Sequence, residues 1–138
     1  MNEQLTAALA AEEAAIYAYG VIGVNFDSDG DRTEARSAEQ AHRQRRDYLV
    51  TTLTDPPASP AGYELPFPVT DRADALRLAI QVEDGVAQAW RPVLPVTTNA
   101  DRGTALAAMV DAAVRATRWR RSAGVTPVTL PFPGRPQS

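Results

Sequence analysis

Cysteine is absent from this 138-residue sequence, and so is lysine; histidine occurs once, as His42. Without cysteine there is no disulfide framework, no thiolate zinc site and no cysteine nucleophile. All 14 basic residues are arginine and alanine is abundant, a bias that reads as genomic base composition before it reads as chemistry. An excess of positive charge is also missing: the net charge of −3 argues against a general nucleic-acid binder, although the local cluster Arg115, Arg118, Arg120 and Arg121 could hold an anion or an acidic partner. Nor is there a long apolar run free of charge. The N-terminal MNEQLTAALAAEEAAIYAYG carries acids where a secretory leader carries bases, and it reads as neither a leader nor a membrane span. A soluble, cytoplasmic protein is expected, with no nucleic-acid and no membrane partner.

What is present is enough for one core. A chain of this length buries most of its apolar surface as a single domain without disulfides or structural metals. Helical spacing of Leu5, Leu9 and Ile16 predicts a first helix over 3–24, broken at Asn25-Phe26-Asp27-Ser28-Asp29-Gly30-Asp31. Thr33, with Glu34 in the first turn, opens a second helix over 33–53. The acidic DSDGD run is a solvated turn; a calcium loop starting at Asp27 would need glycine where Arg32 stands and glutamate where Ala38 stands.

The proline-rich DPPASPAGYELPFPVT, residues 55–70, is too long for a tight turn. It is also too apolar at Tyr63, Leu65, Phe67 and Val69 for a free linker, so it should lie packed along the helices. Asp71 caps a third helix over 72–90, ended by Pro92 and Pro95. After a short connection Asp101 opens a fourth helix over 102–122, with Gly124 as its stop and 123–138 as a packed or loose tail. The tail's VTLPFPG echoes ELPFPV, so the chain reads as two similar hairpins. Four helices with the longest connection between the second and third fit a bundle with a crossover, an up-down-up-down order being the alternative.

Two apolar stripes are interrupted by acids. Leu5, Leu9, Glu12, Ile16 and Tyr19 share one face of helix 1, and Leu76, Ile80, Glu83, Ala87 and Trp90 share one face of helix 3. On helix 2 the line Glu39, His42, Arg46, Leu49, Leu53 sets a Glu-x-x-His pair on the face that leads to the available leucines, at a spacing from which both could reach one metal ion. Helix 4 offers Leu106, Val110, Ala113 and Thr117, with Asp111 about 100° to one side. Buried carboxylates require protons, arginines or a cation. Carboxylates with one imidazole and no sulfur suit iron or manganese, with zinc possible.

These residues resemble the ferritin-like superfamily, which builds a dimetal site from a Glu on the first helix, a Glu-x-x-His on the second and a Glu on the third. Glu12, Glu39 with His42, and Glu83 match those elements in order, and Tyr19 resembles the tyrosine often found beside such a centre. More closely, AAEEAAIYAYGVIG, AHRQRRDYL, YELPFPV, the Glu83 to Trp90 segment and Arg118-Trp119-Arg120 are similar to a ferritin-like domain family of high-GC bacteria. The resemblance implies an all-α, ferritin-like four-helix bundle. It also implies metal ligands at Glu12, Glu39, His42 and Glu83 for iron or manganese, and oxidase or ferroxidase chemistry with Tyr19 or Tyr17 as electron relay. Helix 4 departs from the pattern, because Asp111-x-x-Val114 stands where a second Glu-x-x-His would be.

The competing expectation is a metal-free bundle whose carboxylates are neutralised by Arg45, Arg46, Arg115 or Arg118, and which works through a homodimer or another protein partner. Glu13 is then a surface acid or an arginine partner, and Trp90 and Trp119 are core plugs or interface anchors. A small-molecule ligand in the interior near Gly20 and Gly23 is a third reading, with nothing to select the ligand.

Overall fold

The computed structural model describes residues 1–136, and among these residues there are helices and no strands. The four long helices are α1 (Asn2–Val24), α2 (Asp29–Thr52), α3 (Arg72–Trp90) and α4 (Asn99–Ala123). A 3-10 helix, Arg91–Val96, stands between the last two.

Local chemistry sets these boundaries. α2 starts four residues before the expected Thr33, because Ser28, in an extended conformation, accepts a hydrogen bond from the Asp31 amide at 3.1 Å. Asp29 and Asp31 then lie in the first turn, where acids complement the unsatisfied amides. The acidic run is therefore a helix start, and the break is confined to Asn25–Ser28. Asp71 caps α3 as expected, accepting from the Asp74 amide at 2.8 Å. The connection after α3 is more ordered than expected: Pro92 fits the first turn of a helix, whose amides need no internal partner, and the chain tightens to 3-10 geometry through RPVLPV. α4 begins at Asn99, which leaves the expected opener Asp101 inside its first turn, and it stops before Gly124, whose φ of 70° is the left-handed conformation that glycine adopts without strain.

Residue pairs across the interior give the helix directions. Trp90 reaches Glu12 while Tyr19 reaches Glu83, so α1 and α3 run in opposite senses. α1 packs on α2 and α3, and α3 packs on α4. One apolar cluster gathers Leu5, Leu9, Leu49, Leu53, Val86, Trp90 and Val93. The other gathers Tyr19, Ile22, Phe26, Leu76, Leu78 and Trp119. Leu53, just before the proline-rich segment, belongs to the first cluster, whereas Leu65, Phe67 and Val69 within it pack on the second. That segment thus lies against the helices, as its apolar residues predict. Burial alternates along it, with Tyr63, Leu65, Phe67 and Val69 half-buried and Glu64, Pro66 and Pro68 exposed.

The inward face of α4 is not the expected one. Ala105, Ala108, Ala112, Ala116 and Trp119 are buried, whereas Leu106, Val110 and Val114 are 48%, 46% and 43% exposed. Small side chains let α4 approach its neighbours closely, and the larger apolar residues are turned outward. α1 has, by length and composition alone, what a membrane-crossing helix needs. It nevertheless carries Glu12 and Glu13, both buried within the protein.

Candidate functional site

Between the two apolar clusters lies a layer of charge. Glu12 on α1, His42 on α2 and Glu83 on α3 all have zero solvent exposure. The sequence-derived inward orientation of the two glutamates and the histidine is met in the structure. His42 Nδ1 donates to Glu12 Oε2 at 2.6 Å and Nε2 donates to Glu83 Oε2 at 2.9 Å. Two carboxylates that only accept hydrogen bonds require both ring nitrogens to carry protons, so the ring is an imidazolium. Burial pushes the ring towards neutrality, but the hydrogen bonds and charges of Glu12 and Glu83 outweigh it and raise the His42 pKa to about 9.

Outer partners complete the layer. Trp90 Nε1 donates to Glu12 Oε1 at 2.7 Å, so both oxygens of Glu12 are engaged. Arg115 Nε donates to Glu83 Oε2 at 3.2 Å, and the Tyr19 hydroxyl donates to that same oxygen. Trp119 Nε1 donates to the Tyr19 oxygen at 2.9 Å. Burial, and then the adjacent Glu83 charge, drive the Tyr19 pKa well above its ordinary value, so Tyr19 remains a donor. Glu83 Oε1 is buried without a hydrogen-bond partner among the described residues. With Glu12 and Glu83 negative and His42 and Arg115 positive, the four charges sum to zero.

Glu39 does not join them. It is half-buried on α2 and accepts from Arg43 Nε at 3.2 Å, one turn along its own helix. Asp111, the other carboxylate expected near the site, accepts from Arg45 Nη2 at 2.7 Å. Of the arginines expected to neutralise the interior, Arg115 does so, Arg45 serves Asp111, Arg46 pairs with Asp47, and Arg118 is exposed. Glu13 is buried and accepts from the Ser59 hydroxyl; burial raises its pKa and Arg46 opposes the rise. Tyr17 is 40% exposed and stacks obliquely on Tyr63, away from the charge layer. The basic cluster of α4 is divided around the helix, with Arg115 on Glu83, Arg120 on Asp84, and Arg118 and Arg121 exposed.

These placements bear on a dimetal centre of the ferritin-like kind. Both imidazole nitrogens are taken by carboxylates, one of those carboxylates is also held by an arginine, and Glu39 is turned to Arg43. Among the described residues no three histidine, aspartate or glutamate side chains are placed to hold a metal ion. As arranged, the donor set does not fit the metals that the resemblance implies. Sequence reasoning treated His42 as a nitrogen ligand and sought the balancing cation among the arginines. The missed signal is positional: Glu12, His42 and Glu83 lie at matching depths of their helices, so the histidine itself can serve as the cation. The indole donors Trp90 and Trp119 escape the sequence reading as well: Trp90 stands two turns after Glu83 on the same stripe yet donates to Glu12 on α1, and Trp119 on α4 donates to Tyr19.

The helices and this layer define an all-helical protein with a hydrogen-bonded, internally neutralised charge cluster. The chain belongs to the family described as domain of unknown function (DUF4439), whose model matches residues 4–137. It is similar to a conserved hypothetical protein, rv2844, from Mycobacterium tuberculosis, known from a crystal structure. The two are 39% identical, with a TM-score of 0.81 over 88% of this chain and 95% of that one. The expected kinship with proteins of high-GC bacteria holds in this form. No curated protein matches the chain.

Proposed function

We propose that this protein is a ferritin-like four-helix bundle that keeps the inherited carboxylate and histidine positions as a metal-free structural cluster and works by self-association. The single observation carrying the metal-free reading is that both His42 nitrogens are occupied, by Glu12 and by Glu83. The ferritin-like assignment draws on the opposite directions of α1 and α3 and on the proline-rich segment. That segment leaves one apolar cluster at Leu53 and packs on the other, as a crossover does. In this reading residues 1–138 form one domain, resident in the cytoplasm.

The metal question is decided by elemental analysis after incubation with ferrous iron or manganese. The expected content is below about a tenth of an equivalent, because a doubly protonated imidazole has no lone pair to offer. Near-stoichiometric iron or manganese that disappears in His42→Ala would restore the other reading, a site for oxidative chemistry at Glu12, Glu39, His42 and Glu83.

Self-association is read from α4, where Leu106, Val110 and Val114 form an exposed apolar row at steps of four residues. Light scattering after size-exclusion chromatography should give a homodimer mass for the wild type and a monomer mass for Leu106→Glu. A monomeric wild type at about 100 µM would remove this part of the reading.

A further inference from the structure

The LPFP motif occurs at 65–68 and again at 130–133, and its two phenylalanines are placed differently. Phe67 is half-buried on the second apolar cluster, with the Arg77 guanidinium 3.8 Å above its ring. Phe132 is 59% exposed. The Arg135 guanidinium stands 5.4 Å from the centre of its ring, and the rest of the ring faces solvent. The tail that carries it is nevertheless firmly seated: a Cβ on Gly134 would stand 2.8 Å from the Ala87 carbonyl oxygen, and the Arg135 amide donates to the Phe132 carbonyl at 3.1 Å. Phe132 is therefore a fixed apolar knob.

Beside the knob is a hole. A groove of about 240 Å³ lies between α3, α4 and the tail, with walls that include Ala87, Met109, Ala113, Leu130 and Pro133. It opens onto Val110 and Val114 of the exposed row on α4. The Arg120 guanidinium among its walls is held by Asp84, so the fitting occupant is an uncharged apolar group. A cavity of about 150 Å³ takes up benzene, so there is room here for one phenyl ring, and Met109 offers the thioether contact that aromatic rings favour. Leu130 and Pro133 line this groove and Phe132 between them does not. Knob and hole thus lie side by side on one face of the molecule.

We propose that the groove receives Phe132 of a second copy of this chain, and that the second copy's groove receives Phe132 of the first in return. A two-fold axis that bisects knob and hole carries each ring into the other copy's groove, which is the closed, self-complementary contact of a C2 dimer. The inference rests on the self-association reading above and adds to it the anchor: two aromatic rings in pockets, flanked by the row of Leu106, Val110 and Val114.

Sedimentation across a dilution series tests it. Phe132→Ala should raise the dimer dissociation constant at least about thirtyfold, with helical circular dichroism unchanged because the ring belongs to neither apolar cluster. Ala113→Phe, which fills the groove, should weaken the dimer likewise. An equimolar mixture of the two variants keeps one intact knob and one intact hole, and should associate more tightly than either variant alone. Should Ala113→Phe unfold, wild-type chain labelled at its methionine methyls and mixed with unlabelled chain supplies the check. The Met109 methyl should then show an intermolecular NOE to aromatic protons that is missing when the unlabelled chain carries Phe132→Leu. A dimeric wild type whose affinity Phe132→Ala leaves unchanged, a mixture no tighter than its components, or a dimer without that NOE overturns the proposal and leaves self-association standing. A monomeric wild type removes both.

Discussion

His42 Nδ1 lies 2.6 Å from Glu12 Oε2, with both side chains withdrawn from solvent. This contact joins α2 to α1, and the second ring nitrogen joins α2 to α3 through Glu83. One imidazolium therefore ties three helices at the level where their apolar clusters meet. A buried ion pair contributes little over a well-packed apolar layer, but removal of one member leaves an uncompensated charge in the interior. The consequence of the geometry is sensitivity to whatever removes the proton or the partner.

Raising the pH removes the proton. The folded-state pKa of His42, about 9, lies above the 6.5 of an unperturbed imidazole. Its contribution to stability is therefore complete below the unfolded value and is lost as the pH rises through the folded one. Urea unfolding should show the wild type losing on the order of 3 kcal/mol between neutral pH and about pH 10, since a tenfold difference in proton affinity between the folded and unfolded chain corresponds to about 1.4 kcal/mol. His42→Gln should lack that decline. A wild-type stability flat across the same window would mean that the ring is not held as a cation.

Removing a partner separates the members of the cluster from their neighbours. Glu12→Ala deprives buried His42 of a carboxylate and Trp90 of its acceptor, and should cost about 3 to 5 kcal/mol. Glu39→Ala breaks only a half-exposed pair with Arg43 on the same helix, and should cost no more than about 0.5 kcal/mol. Parallel urea titrations of the two variants measure the difference. A Glu39 change as costly as the Glu12 change would place Glu39 inside the cluster.

Much of this was legible in the sequence, and the failures have physical causes. The interruption of two apolar stripes by Glu12 and Glu83 revealed their burial, because a periodicity of 3.6 residues fixes which face a side chain occupies. Asp71 and Gly124 marked helix ends through chemistry confined to one turn. Glu39 shows where the same reasoning stops: it lies about 300° around the helix from His42, near enough to share a side yet far enough for Arg43 to take it instead. α4 misled for a different reason. Its alanines are buried and its leucine and valines are outward, and a stripe reading that weights large apolar residues selects the wrong face when close helix approach selects small ones.

The start of α2 offers a sharper comparison. Ser28 accepts from the Asp31 amide, whereas Thr33, the residue whose sequence context suggested a cap, is exposed one turn inside the helix. Ser28→Ala should cost about 1 kcal/mol, a typical loss for a helix cap. Thr33→Ala should be neutral or slightly stabilising, since alanine is the better helix former in an interior turn. Chemical denaturation of both variants tests the assignment, and a reversed order of the two effects would return the helix start to Thr33.

Gly134 controls the tail without belonging to any helix. Its φ of 79° is a conformation that side chains disfavour by about 1 to 2 kcal/mol. A Cβ there would also press against the Ala87 carbonyl. Gly134→Ala should therefore lift the tail from α3 and α4 while the two apolar clusters, which it does not enter, stay intact. Hydrogen exchange reads this directly. The Arg135 amide, bonded to the Phe132 carbonyl in the seated tail, should lose its protection in the variant, with amides of α1 to α4 unchanged. Retained protection at Arg135 would show that the tail accommodates the extra methyl group, and that its seat does not depend on glycine.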